Sequence, residues 1–175
     1  MFLRNLTTNR TGQCVSGGNR LSDELPPLRI SDVEYAMKVY FSCSLTGGRA
    51  DQKIYGAIVD YLFAQGHNVL TAHLAKPEVM VEEQVVSPRE VYERDIAWVK
   101  EADVLIAEVS TPSHGVGYEI AVALTLSKPV LCVYRQNARV SKMITGNTAP
   151  TLRVAAYDED SAALEVIQKF LETLS

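Results

Sequence analysis

The chain has 175 residues, of which 47% are hydrophobic and 22% are charged, and its formal net charge is −4. This length and composition predict one globular domain whose core is large enough to fold without disulfides or metal ions. The negative charge argues against a nucleic-acid polymer or an anionic membrane as the main partner, whereas local backbone dipoles can still bind a single nucleotide.

The three cysteines have neither disulfide-framework nor metal-site spacing, and no apolar run is long enough to span a membrane. The first residues also lack the apolar core of a secretory signal. We therefore expect reduced thiols and a cytoplasmic protein, or a nuclear one if the source is a eukaryote.

Residues 1–36 are rich in Asn, Thr, Gly and Ser, contain Pro26-Pro27, and show no hydrophobic periodicity. This composition predicts a flexible N-terminal extension, followed by one ordered domain over residues 37–175.

Short apolar runs and helical patterns alternate along the domain. Strands are predicted at 38–42, 68–72, 103–109, 130–134 and 152–155, and helices at 49–65, from Ser87-Pro88 onward, at 117–127 and at 159–174. Gly66 is predicted to end the first helix, and Ser87 to cap the second. The alternation predicts an α/β fold: a three-layer, doubly wound, five-stranded parallel sheet of the Rossmann-like or flavodoxin-like kind. Ligands of such sheets bind beyond the carboxyl ends of the strands.

The most informative segment is Ala107-Glu-Val-Ser-Thr-Pro-Ser-His-Gly-Val-Gly-Tyr-Glu119, which follows a predicted buried strand. Ser113 and free backbone N–H groups at the start of the next helix suit an anion. We expect Glu119 in the first helical turn, where the helix dipole would lower its pKa and favour the ionised, nucleophilic form. A phosphate site beside a reactive carboxylate suggests chemistry on a sugar phosphate. Alternatively, Ser113 only caps the helix and Glu119 only complements its dipole.

A second loop, Tyr40-Phe-Ser-Cys-Ser-Leu-Thr-Gly-Gly48, offers hydroxyls and glycines that suit an oxyanion. It lacks the endings of the common mononucleotide and dinucleotide loops, and a plain turn is the alternative.

Asp95 lies at the edge of the apolar face of the helix after Ser87, with Glu93 and Arg94 predicted to point outward. Asp95 is either half-buried and functional, or a solvated residue on the flank of the helix. His73 is either a base or a hydrogen-bonded loop residue. No residues have metal-ligand spacing, so no metal is expected.

Taken together, three segments and Asp95 resemble the nucleoside 2-deoxyribosyltransferase superfamily, and within it most closely the 2′-deoxynucleoside 5′-phosphate N-hydrolases. The segments are Tyr-Phe-x-x-Ser-x-x-Gly-Gly-Arg at 40–49, Ala-Glu-Val-x-x-Pro-Ser-x-Gly-Val-Gly-Tyr-Glu at 107–119, and Ser-x-Met-Ile at 141–144. The resemblance implies an N-glycosidase that cleaves deoxyribonucleoside 5′-monophosphates and needs no cofactor.

The resemblance also implies a role for each matching residue. Glu119 would attack C1′ of the deoxyribose, Asp95 would help proton transfer to the departing base, and Tyr40 would hold the nucleophile. His73 would line the base pocket. The phosphate would be bound by Ser44, Leu45, Thr46, Gly47, Ser113 and Gly115, together with Ser141 of a second subunit in a homodimer.

One position departs from the family pattern: this chain has Thr46 where the animal enzymes carry Arg. Either a hydroxyl with backbone dipoles or Arg49 would then replace that cation. Two rival functions remain, a deoxyribosyltransferase that moves the sugar between bases and a nucleotide-binding module without catalysis.

Overall fold

The computed structural model describes residues 36–45, 51–76 and 85–174. Strands and helices alternate along these ranges, and a short 3-10 helix follows the second strand. The elements are β1 (Lys38–Ser42), α1 (Gln52–Ala64), β2 (Asn68–Val69), the 3-10 helix (Ala72–Ala75), α2 (Pro88–Glu101), β3 (Val104–Glu108), α3 (His114–Thr125), β4 (Val130–Arg135), α4 (Lys142–Thr145), β5 (Leu152–Tyr157) and α5 (Asp160–Glu172). Apart from Ala36, the extension predicted over residues 1–36 lies outside the described residues.

The strands form one parallel sheet in the order β2-β1-β3-β4-β5. The predicted five-stranded, doubly wound α/β fold is therefore confirmed. In this order the chain reverses its direction of winding between β1 and β3, which is where such sheets open a crevice for ligands.

Alternate residues of each strand enter two separate hydrophobic cores, because successive side chains of a strand point to opposite faces. Val39 and Phe41 of β1 pack on the face covered by α1 and α5. Tyr40 lies between them in sequence and packs on the other face, against residues of α2 and α3. The sheet is thus covered on both sides, as predicted for a three-layer fold.

The second strand is shorter than the predicted 68–72. Leu70 still donates its backbone N–H to Val39, but the side chain of Thr71 then occupies both backbone groups of Phe41. The Thr71 hydroxyl accepts from the N–H of Phe41 at 2.9 Å and donates to its carbonyl at 2.6 Å. The Thr71 hydroxyl thereby takes the place of backbone hydrogen bonds between the two strands, and the chain continues into the 3-10 helix.

Local signals at the helix ends agree with the structure. Ser87 caps α2 and forms a reciprocal capping box with Glu90. Gly66 follows α1 with a φ of 80°, a conformation that glycine adopts at little cost. The short helix α4 was not predicted, because four residues are too few for a periodic pattern.

Candidate active site

The helix that carries Glu119 begins three residues earlier than predicted. Ser113 is the N-cap of α3, and its hydroxyl accepts from the N–H of Val116 at 3.5 Å. Glu119 consequently lies in the second turn, away from the free N–H groups, where the helix dipole has less effect.

Burial dominates the electrostatics of Glu119. Burial raises the pKa of Glu119, and the Asp95 carboxylate adds to the rise, while the hydrogen bond from Ser42 and the nearby Tyr40 hydroxyl oppose it. The predicted lowering of this pKa by the helix dipole is therefore wrong, because desolvation of a half-buried carboxylate outweighs the dipole.

Two side chains of β1, Ser42 and Tyr40, lie next to the Glu119 carboxylate. The Ser42 hydroxyl, which is fully buried, donates to Glu119 Oε2 at 2.5 Å. The Tyr40 hydroxyl makes no hydrogen bond of good geometry within the described residues, yet it lies close enough to interact with Glu119 and Asp95. Burial, followed by these two carboxylates, raises the pKa of Tyr40, so this phenol stays protonated.

Sequence reasoning identified Tyr40 and missed Ser42. The signal was present in the period of two along β1, which places residues 40 and 42 on the same face of the sheet.

Asp95 is half-buried and does not lie on a solvated flank of the helix. Its side chain is 15% exposed and accepts from Nε of Arg94 at 2.8 Å. Arg94 was predicted to point outward, but its side chain is only 25% exposed, because its guanidinium stacks over the Trp98 ring at 5.0 Å. Trp98 in turn contacts His73 edge-on, with ring centroids 5.4 Å apart.

Asp95 and Glu119 line one cavity of about 420 Å³, which we call the Glu119 cavity. This volume falls in the range of small-molecule sites. The walls combine few polar groups with many apolar ones, and the lining residues are Cys43, Leu45, Leu74, Val86, Pro88, Val91, Arg94, Asp95, Ser113, Gly115, Val116 and Glu119. His73, which contacts Trp98, is not among them.

Several of the predicted phosphate contacts reach this cavity. Leu45, Ser113 and Gly115 line it, and a Cβ added to Gly115 would lie 3.9 Å from Glu119 Oε1. Ser44 is fully buried next to the cavity, and its hydroxyl has no hydrogen-bond partner among the described residues. Thr46 and Gly47 lie outside the described residues.

Ser141 lies at a different surface of the same chain. It caps α4, where its hydroxyl accepts from the N–H of Met143 at 3.2 Å. It lines a second cavity of about 400 Å³, which we call the α3–α4 groove. Ser113 and Val116 belong to both cavities, so the N-terminal turn of α3 separates them.

A second polar cluster, not predicted, lies at the carboxyl edge on the opposite face of the sheet. The fully buried Glu108 accepts from the hydroxyls of Ser110 and Tyr157, the latter at 2.9 Å. Burial raises the pKa of Glu108, while these hydrogen bonds oppose the rise. Arg135 donates its backbone N–H to Ser110 at 2.8 Å and its Nε to Asp51 at 2.9 Å. This cluster joins β3, β4, β5 and the start of α1.

Among the helices that the structure describes, none is long and apolar enough to cross a membrane. The side chains of Cys43 and Cys132 are buried.

Comparison with known proteins gives the family. Residues 39–163 match the family described as nucleoside 2-deoxyribosyltransferase. A putative 2′-deoxynucleoside 5′-phosphate N-hydrolase 1 of Methanosarcina mazei is 39% identical over 136 residues, which cover 78% of this chain and 84% of the relative. The 5-hydroxymethyl-dUMP N-hydrolase of Mus musculus is 41% identical over 132 residues, covering 74% of this chain and 76% of the relative.

A solved structure shows the same fold at low sequence similarity. The CMP N-glycosidase BcmB of Clostridium botulinum matches with a TM-score of 0.56 and 19% identity, over 75% of this chain and 98% of that one. The predicted enzyme class, a hydrolase of N-glycosyl compounds, is confirmed by the curated N-hydrolases. The chain therefore belongs to the nucleoside 2-deoxyribosyltransferase family, in its branch of 2′-deoxynucleoside 5′-phosphate N-hydrolases.

Proposed function

We propose that this enzyme hydrolyses the N-glycosidic bond of 2′-deoxyribonucleoside 5′-monophosphates through a covalent intermediate on Glu119. The products are 2-deoxyribose 5-phosphate and the free base. The observation that carries the proposal is the placement of Glu119 and Asp95 in one cavity with Ser113 and Gly115.

The two carboxylates divide the reaction into two displacements. In the first, a Glu119 oxygen bonds to C1′ while the bond from C1′ to the base nitrogen breaks, and its electron pair leaves with the base. The base takes up a proton from solvent, relayed by Asp95, which lines the same cavity. In the second, water bonds to C1′ and loses a proton to solvent, the ester bond breaks, and its electron pair returns to Glu119. A deoxy sugar suits this chemistry, because the missing 2′-hydroxyl makes the oxocarbenium-like transition state easier to reach.

The preference for a 5′-phosphate rests on the opening turn of α3. Ser113 offers a hydroxyl, and Gly115 lets a ligand approach the backbone of the first turn closely. The names of the curated relatives, which are N-hydrolases of deoxynucleotides, support the same substrate class.

The test is incubation of the purified protein with each deoxynucleoside 5′-monophosphate, including 5-hydroxymethyl-dUMP, followed by chromatography of the free base. We expect base release by the wild type and none by Glu119→Ala with its fold intact. An added second base separates hydrolysis from transfer, because a transferase would form the exchanged nucleotide. Nucleotide binding without base release from any substrate would refute the proposal in favour of a binding module.

We also propose that the α3–α4 groove binds a second copy of the chain, which would bring Ser141 towards the partner's phosphate site. The groove is largely apolar, and Met143 on its rim is 84% exposed. Because Ser113 lines both the groove and the Glu119 cavity, a subunit docked there lies next to a phosphate candidate. Sedimentation should give a dimer for the wild type and a monomer for Met143→Asp; a monomeric wild type would contradict the proposal.

A further inference from the structure

The two oxygens of the Glu119 carboxylate have different surroundings. Oε2 accepts from the buried hydroxyl of Ser42, on the side of the sheet. Oε1 lies towards Gly115, 3.9 Å from the place where a Cβ would stand. Gly115 lines the Glu119 cavity, whereas Ser42 does not. The oxygen that faces the substrate space is therefore Oε1.

Ser42 lies where its hydroxyl reaches the Glu119 carboxylate. It ends β1 on the face that meets α2 and α3, and its hydrogen bond spans 77 positions of the chain to a different element. A hydrogen bond to a carboxylate is stronger than one between neutral groups, and it fixes the orientation of its acceptor.

We propose that Ser42 is a positioning residue of the reaction: it holds Oε2 of Glu119, directs Oε1 to the anomeric carbon, and stabilises the carboxylate as it departs in the second displacement. The inference rests on the proposed function. Neither the family motifs nor the resemblance assigns a role to position 42.

The stabilisation differs between the two chemical steps. Once Oε1 is bonded to C1′, Oε2 is the carbonyl oxygen of a neutral ester. When water bonds to C1′ and the Oε1–C1′ bond breaks, the returning electron pair spreads over both oxygens, and the water proton passes to solvent. The hydrogen bond that Ser42 donates to Oε2 becomes stronger as this negative charge develops. In the first step the same donor already stabilises the free carboxylate, so it gives that step little acceleration.

Replacement of Ser42 by alanine should therefore affect hydrolysis of the intermediate more than its formation. We expect the second step to slow about tenfold, equivalent to about 1.4 kcal/mol. The pKa of Glu119 should also rise further, because the hydrogen bond from Ser42 opposes the effect of burial. The acid limb of the pH–rate profile should then move to higher pH.

The experiment compares wild type, Ser42→Ala and Ser42→Thr in the full chain, with a deoxynucleoside 5′-monophosphate that the wild type cleaves. Quenched samples are analysed by intact-protein mass spectrometry for a covalent 2-deoxyribose 5-phosphate adduct. We expect the adduct to accumulate in Ser42→Ala and the hydroxyl of Ser42→Thr to restore turnover. Thr125→Ala serves as the control. Thr125 lies on α3, the helix that carries Glu119, and its exposed hydroxyl donates to the backbone carbonyl of Ala121.

An alanine variant with the wild-type acid limb, kcat and adduct level would overturn the inference while leaving the proposed function standing. A wild type that releases no base would overturn both. Should the alanine variant unfold, Ser42→Cys keeps the side-chain size with a weaker donor. It should show the same changes in smaller degree, and wild-type behaviour of this variant would also count against the inference.

Discussion

Ser113 has two roles that one substitution can separate. Its hydroxyl caps α3, and it also lines the Glu119 cavity, where we expect it to contact the phosphate. The cap bond to Val116 is long, at 3.5 Å, so its loss in Ser113→Ala should cost only about 0.5 kcal/mol, the lower end of the range for N-caps.

The phosphate contact should contribute more than the cap. A hydrogen bond to a charged group contributes about 1.5–3 kcal/mol. We expect this hydrogen bond to bind the phosphate equally in the ground and transition states. Losing the bond in Ser113→Ala should therefore raise KM roughly 10- to 150-fold with little change in kcat. Free deoxynucleosides, which lack the phosphate, should show no such change in KM.

Steady-state kinetics on both substrate types and urea unfolding measure the two effects. Ser87→Ala is the matched control, because the Ser87 hydroxyl caps α2 by accepting from the N–H of Glu90 at 3.3 Å, but Ser87 does not line the cavity. In the reciprocal bond, the backbone N–H of Ser87 donates to the Glu90 carboxylate at 3.0 Å. The control should lose about 1 kcal/mol of stability and keep its KM. An unchanged KM for the monophosphate in Ser113→Ala would refute the assignment.

Three further predictions concern the buried charges. The kcat/KM of the wild type should rise with pH along an acid limb above the usual carboxyl range, because burial raises the pKa of Glu119 and its ionised form attacks; a limb at or below pH 4.5 would contradict this. Tyr157→Phe should lower the free energy of unfolding by about 1–2 kcal/mol in urea titrations, since it removes a 2.9 Å hydrogen bond to buried Glu108; a loss within error of zero would show that this bond contributes nothing. Arg94→Gln should lower kcat about tenfold in steady-state assays by releasing Asp95 from its 2.8 Å ion pair, and an unaltered kcat would exclude this positioning.

Much of the fold could be predicted because its signals are local. The apolar run at Val104–Glu108 and the capping residues Ser87 and Gly66 each act within a few positions of the chain. The end of β2 could not be predicted, because it depends on the Thr71 hydroxyl meeting the backbone of Phe41, 30 positions away.

The sequence predicted part of the lining of the Glu119 cavity, whereas it did not predict the electrostatics there. The motif placed Glu119 correctly beside Ser113 and Gly115, and the structure brings Asp95 into the same cavity. The direction of the Glu119 pKa shift depends on how far the sheet and α2 bury the Glu119 carboxylate. No local sequence pattern predicts that burial. Arg94 was placed outward for the same reason, since its contact with Trp98 is a matter of tertiary packing.

The cluster around Glu108 has a consequence for how the enzyme receives its substrate. Through Ser110 and Arg135 it fastens the carboxyl ends of three strands and the first turn of α1 to one another. Within the described residues, this part of the carboxyl edge is thus cross-linked by side chains without the help of any ligand. Folding therefore covers the entropy cost of ordering these strand ends, and that cost does not fall on substrate binding.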